Sequence, residues 1–233
     1  MGHKVCDICD SDEYDVLAQC SDRLYSRLTE TFSLVRCRSC GFVYVNPIPD
    51  HETLQAHYPE EYGNYINPVS PLEVKERFTR WLQHGYMVQR LRYPSRDTLS
   101  LLFARALALL LGDKYRHMPP FVRGGRLLDV GCATGRQMLF FRELGWDVYG
   151  AEPNVYAANL AKSAGLRNVF VGTLEQAHYP DNFFGCVWFH HVLEHLPNPL
   201  QTLEETNRIL RIPGCVCIVL PSIDSWLFRH FGT

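Results

Sequence analysis

The stretch RLLDVGCATGR, residues 126–136, constrains the fold of this chain more than any other. An apolar run that ends in Asp129 and Val130 reads as a buried parallel strand, and Gly131 lets the backbone turn sharply at its end. Ala133 and Gly135 keep the wall of the turn low, so a ligand can lie against main chain. The next segment, RQMLFFREL, has helical spacing, which aims the free N–H groups of its first turn at the loop. Glu152 closes the following apolar run, WDVYGAE, 21 positions after Gly131. A second parallel strand would end there beside the first, where a carboxylate can accept both hydroxyls of a ribose. The pattern predicts a nucleoside pocket at the carboxyl ends of a parallel sheet.

The glycine positions separate two cofactor classes. A dinucleotide fingerprint, GxGxxG, begun at Gly131 requires glycine at 133 and 136, where the chain has Ala133 and Arg136. A pyrophosphate needs close approach to main chain, whereas S-adenosylmethionine (SAM) carries no phosphate and needs only a shallow floor. The loop suits SAM. It resembles the first motif of class I SAM-dependent methyltransferases, D-x-G-x-G-x-G, in Asp129, Gly131 and Gly135, with Ala133 in the place of the middle glycine.

That resemblance covers nearly all of 125–222. The order is a third strand, an acidic-proline loop, a fourth strand, an HVLEHL helix start, a helix, a proline-glycine turn and a fifth strand, CVCIVL. It implies an α/β fold, a doubly wound (Rossmann-like), mostly parallel sheet with helices on both faces. Gly145 is expected to end the first helix, Asn154 to cap the second and Gly165 to terminate it. The resemblance implies SAM contacts from Asp129, Gly131, Cys132, Ala133, Gly135, Glu152, Pro153, Thr173, Leu174 and His190. Glu152 would hold the ribose, Pro153 would pack beside the adenine, and Thr173 with Leu174 would form the other side of the adenine slot. Many relatives have Asp where Thr173 stands.

Methyl transfer from a sulfonium is an in-line displacement, so positioning can supply most of the acceleration. A base is needed only where the acceptor must lose a proton. His190 and His191 end the expected fourth strand, and an imidazole titrates near neutrality, so His191 is the candidate base or acceptor-orienting group. The alternative is that His191 only hydrogen-bonds around the helix start. His195 reads as a structural histidine and Glu194 as a capping or solvated carboxylate.

The nine cysteines suggest metal. The N-terminus, MGHKVCDICDSDEYD, lacks the basic-then-apolar order of a signal peptide, so a cytoplasmic, reducing location is expected. Cys6-Asp-Ile-Cys9 and Cys37-Arg-Ser-Cys40 are two C-x2-C knuckles with 27 residues between them. Together they can close a tetrahedral four-thiolate shell for structural zinc, with no open position for water or substrate. Cys20 falls between them and is read as a buried or free thiol, while Cys132, Cys186, Cys215 and Cys217 are read as core packing. The stretch CRSCGFVYVNPIPDHETLQAHYPEEY (37–62) resembles the zinc-ribbon start of a subset of these methyltransferases, many associated with sugar or cell-surface glycan modification. That implies a small-molecule acceptor, among them sugar or glycan precursors.

At 46% hydrophobic and 21% charged, 233 residues can build one good core plus a small accessory module. The expected division is 1–46, a zinc-ribbon-like module; 47–124, linker and helical cap; and 125–233, the SAM-binding domain without its last strands. Helices are expected at 72–91 and 97–112, and Tyr58, Tyr62 and Tyr65 either line the substrate entrance or serve as core or surface aromatics. A net charge of −2 disfavours bulk nucleic-acid binding. The apolar run at 99–111 is interrupted by Arg105 and too short to span a membrane. CVCIVL would be an exposed edge, which predicts either a fragment of a longer chain or self-association through that strand. The reading favoured is a SAM-dependent methyltransferase with a structural zinc module. The alternatives are a nicotinamide-dependent oxidoreductase, or a non-catalytic SAM-binding or zinc-dependent interaction protein.

Overall fold

The computed structural model describes residues 5–21, 31–48, 87–88, 91–93, 118–122 and 124–231. They fall into two compact units, the first within 1–61, 196–200 and 221–233 and the second within 62–195 and 201–220. The expected helix at 97–112 and the tyrosines at 58, 62 and 65 lie outside the described residues. Of the helix expected at 72–91, Met87, Val88 and Leu91 are described, and they are helical.

The first unit is built on a three-stranded antiparallel sheet in the order β1 (Tyr14–Ser21), β2 (Thr31–Cys37), β3 (Val43–Asn46). Its core is small. Cys6, Val35, Cys37 and Tyr44 are buried, with Tyr14 and Phe42 packed against them. Among the described residues, burial on this scale supplies little hydrophobic free energy for a module of this size. Cys20 pairs with Phe32 across β1 and β2, and its side chain lies outside the described residues.

The second unit alternates strand and helix: β4 (Arg126–Val130), α1 (Arg136–Glu143), β5 (Asp147–Glu152), α2 (Val155–Ser163), β6 (Val169–Val171) and β7 (Phe184–His190). Then come α3 (Pro199–Ile209) and β8 (Leu210–Val219), and a short helix, α4 (Trp226–Phe231), follows in the residues of the first unit. All five strands are parallel, in the order β6-β5-β4-β7-β8. This is the doubly wound sheet that the alternation predicts, with β4 and β7 at its centre.

Neighbouring residues of a strand face opposite sides, so Leu127 and Leu128 enter different cores. On one face Leu127, Cys186 and Trp188 pack with Met138 and Phe141 of α1. Phe141 meets Trp188 edge to face at 5.3 Å between ring centroids. On the other, Leu128, Val130, Val187 and Phe189 pack with Leu174 and Ile209. Glycines with left-handed backbone, Gly145 and Gly165, follow α1 and α2, as expected.

Two boundaries differ from expectation. HVLEHL does not start the helix: Leu193–His195 is a single 3-10 turn and α3 begins at Pro199. Pro197 and Pro199 push Leu196 and Asn198 away from helical backbone, and proline suits the first helical position where α3 opens. The fifth strand begins earlier than CVCIVL, at Leu210. Its pairing with β7 jumps from Phe184↔Leu210 to Cys186↔Cys215, so the expected proline-glycine turn lies inside an irregular stretch of strand. No described helix is long and apolar enough to cross a membrane.

Candidate functional site

The loop after β4 adopts left-handed backbone three times, at Gly131 (φ 69°), Ala133 (φ 46°) and Gly135 (φ 77°). The glycines are also required by space. A Cβ at Gly131 would stand 2.6 Å from Val192 Cγ2, and one at Gly135 would collide with Leu166 Cδ1. Gly135 then heads α1 with no side-chain cap, so the N–H groups of the first turn are left to the loop. Cys132 turns inward: its Sγ lies where a Cβ on Gly150 would approach to 2.6 Å, so only its backbone can floor a ligand site.

Glu152 binds the loop to the end of β5. Its Oε2 accepts the Ala133 N–H at 2.8 Å and its Oε1 accepts the Asn154 N–H at 2.8 Å. Asn154 in turn caps α2, its Oδ1 accepting the Ala157 N–H at 3.0 Å. Each carboxylate oxygen has a second lone pair, so two acceptor positions remain for a diol while the backbone bonds fix the group's orientation. Burial raises the Glu152 pKa, and the two N–H bonds oppose that shift. Sequence reasoning found Glu152 but missed both amide partners, which belong to different loops.

Asp129 ends inside the sheet, 2% exposed, and its Oδ2 accepts no hydrogen bond. Burial, with the neighbouring Glu152 charge second, pushes its carboxyl up to about 8. A buried carboxylate with a vacant oxygen fits a cationic ligand, because positive charge or a donor nearby would offset its desolvation. The glycine-floored turn, the oriented Glu152 and this acid together fit the sulfonium nucleoside expected from the sequence.

The remaining expected contacts divide. Pro153 is exposed beside Glu152. Thr173 is half-buried and forms a reciprocal turn with Gln176, the Thr173 N–H reaching Gln176 Oε1 at 2.9 Å. Leu174 is buried in the core with Val130 and Phe189. His190 stacks on Trp188 at 5.9 Å, and His191 stands edge-on to His190 at 4.6 Å. His191 has left-handed backbone (φ 56°), its N–H donates to Val219 O at 2.9 Å, and its ring is about half exposed. Glu194 Oε1 lies 3.4 Å from His191 Nδ1 and 3.8 Å from His195 Nε2. Burial lowers the His195 pKa, with Glu194 opposing and His191 adding to the shift.

In the first unit the two knuckles are near-copies. Asp10 N–H donates to Cys6 O at 2.8 Å and Gly41 N–H to Cys37 O at 3.0 Å, and both residues have positive φ. Ser39 Oγ to Ser11 Oγ, 3.0 Å, joins the two turns. Cys6 and Cys40 lie 3.5 Å apart at sulfur, as do Cys9 and Cys37, and all four Sγ atoms fall within 4.8 Å of one another. The Cys40 N–H is the largest of the influences that hold the Cys37 thiol down at about 6. Four sulfurs at this spacing fit a tetrahedral zinc shell.

Residues 128–218, which span most of the parallel sheet, match the family described as a methyltransferase domain. An uncharacterized methyltransferase of Schizosaccharomyces pombe is 32% identical over 107 residues, 40% of this chain and 38% of that protein. The methyltransferase GfsG of Streptomyces halstedii is 25% identical over 182 residues, 75% of this chain and 62% of that protein. Thus the match spans between about a third and two thirds of these relatives' own length. Among solved structures, a SAM-dependent methyltransferase of Thermotoga maritima, titled a possible histamine N-methyltransferase, is 25% identical. It aligns over 67% of this chain and 65% of its own, with a TM-score of 0.41.

Proposed function

We propose that this protein, whose residues 128–218 match the methyltransferase-domain family, transfers a methyl group from SAM to a small-molecule acceptor. The resemblance of its first module favours sugar or glycan precursors as the acceptor class. The observation behind the reading is Glu152, oriented by two backbone N–H bonds beside a turn in which Gly131 and Gly135 leave no room for a Cβ. When bound, SAM would supply an electrophilic methyl group.

The chain's own residues then have distinct tasks. Glu152 holds the ribose through its remaining lone pairs, and the Gly131–Gly135 turn presents main chain to the ligand. Asp129 receives positive charge or a donor from the ligand at its vacant oxygen. His191 accepts the acceptor's proton or orients the acceptor. Glu194, with Oε1 3.4 Å from its Nδ1, steadies the orientation of the ring. Cys6, Cys9, Cys37 and Cys40 hold zinc, which has a structural task because four thiolates leave no open position.

We take the chain as organised into a zinc-ribbon-like module (1–46), a linker region (47–124) and the SAM-binding domain (125–233). The test is methyl transfer with labelled SAM across a panel of nucleotide sugars and other small acceptors, beside protein and nucleic-acid acceptors. Labelled product from a small acceptor is expected. SAM binding with transfer only to a macromolecule would overturn the acceptor class, and NAD binding without SAM binding would overturn the cofactor.

A further inference from the structure

Cys186, Cys215 and Cys217 are far apart in sequence or split between strands, yet their Sγ atoms lie within 4.8 Å of one another. The topology brings them together. Cys186 on β7 stands in register with Cys215 on β8, and Cys217 shares the face of Cys215 because it is two residues further along the same strand. Cys186 is fully buried, whereas Cys215 and Cys217 are half-buried at the edge of the same core. No disulfide joins them.

We propose that these three thiols form a second zinc site, distinct from the four-thiolate knuckles. Thiolates about 2.3 Å from zinc stand roughly 3.8 Å apart in a tetrahedral shell, so the observed spacing needs little adjustment. The donor set is all sulfur, which selects thiophilic ions over magnesium or calcium. Zinc(II) is favoured over copper(I) on charge: three thiolates leave one net negative charge with zinc and two with copper, and the more highly charged site is harder to desolvate beside a buried sulfur. Tyr93, buried in the same core, does not offer a fourth ligand, because its hydroxyl donates to Pro119 O at 3.0 Å and accepts from Trp146 Nε1 at 3.1 Å. Water or an external thiol takes the fourth position from the half-exposed side. Each thiol releases its proton to buffer as its sulfur–zinc bond forms, with no change in oxidation state.

The site's place argues for a structural task. Cys186 lies four residues before His190, about 13 Å along the strand from the expected methyl-transfer end. It stands where the β7–β8 register is irregular and β8 rejoins the ladder after Leu210. An ion there would clip the outermost strand of the described sheet to its neighbour.

The test is residue-resolved alkylation of the full chain with iodoacetamide, with and without added zinc, read by mass spectrometry so that each cysteine is scored separately from the knuckles. Zinc is expected to slow modification of both Cys215 and Cys217 by about tenfold or more, since a metal-bound thiolate is blocked as a nucleophile. The Cys186→Ser variant, checked for native circular dichroism, is expected to lose that protection. A Cys215→Ser variant serves equally, read at Cys217, should the first variant not fold. Equal modification rates with and without zinc in the native protein would overturn the proposal, as would protection that survives in a folded variant.

Discussion

The antiparallel sheet of residues 14–46 and the parallel sheet of residues 126–219 face the same entropic cost of folding with very different resources. The parallel sheet buries two apolar cores, one on each face, and Trp188, Phe141, Phe184 and Phe189 are each almost wholly removed from water. Among the described residues, the antiparallel sheet and the knuckle before it share one small buried apolar cluster, Cys6, Val35, Cys37 and Tyr44, two of them cysteines. Hydrophobic burial of large side chains gives about 1.5–3 kcal/mol each, so the parallel sheet draws far more stability from its core than the described residues of the antiparallel sheet do. Among the described residues the antiparallel sheet's cross-links include the sulfur cluster, the twin turns and an exposed ion pair, Arg38 to Asp15 at 2.6 Å, the last worth under about 1 kcal/mol. What a protein lacks in core it must therefore gain from bonds to a ligand, and here the ligand expected is zinc.

Metal removal would break this comparison most sharply. A thiol-reactive mercurial followed by chelation is expected to strip protection from β1–β3 while β4, β5 and β6 stay folded, because zinc contributes on the order of 10 kcal/mol to folding of such modules. Amide exchange resolved along the chain checks this; protection in β1–β3 that outlasts metal loss would contradict it. Next in size is His191→Ala, expected to lower turnover about a hundredfold or more if the imidazole moves a proton, with SAM affinity little changed. A small loss of rate would leave His191 as a positioning group.

A pH series probes the buried acid of the larger unit. In the folded protein Asp129 is pushed up to about 8, whereas an unfolded aspartate titrates near 4. Between those values the native state keeps a proton that the unfolded chain has released, so this group's contribution to stability falls as pH rises from about 4 to about 8. Asp129→Asn is expected to flatten that slope in ligand-free melting curves; an unchanged slope would remove Asp129 as its cause. The smallest effect concerns Ala133, which holds φ at 46° with a side chain. Ala133→Gly relieves strain of about 1–2 kcal/mol and loses part of that gain to the freer unfolded chain, so the melting temperature should rise by a few degrees at most.

Much of this was legible in the residues themselves. DVGCATGR announced a strand, a glycine turn and a helix start; the spacing to Glu152 placed a carboxylate at the next strand end; and each C-x2-C closed on its own turn. These are local signals, carried by backbone freedom and by residues a few positions apart. What could not be read is set by register between distant segments. The amide of Ala133 reaches Glu152 only because β4 and β5 end level, and Val192 covers Gly131 only because β7 lies beside β4. The Cys186–Cys215–Cys217 cluster depends on an irregular pairing that skips Arg211 to Gly214. Leu174 also went inward, since one position after a strand end decides between core and cleft and periodicity is too short there to choose.

Glu152, held by the Ala133 and Asn154 amides, is proposed to grip the sugar of a sulfonium nucleoside. Calorimetric titration of SAM into the native protein and into Glu152→Gln tests it most directly. Saturable binding to the native chain is expected, with a loss of about tenfold to a hundredfold in the variant, because charge-assisted hydrogen bonds to a diol are weakened. Equal SAM affinity for both proteins, with the variant folded, would contradict it.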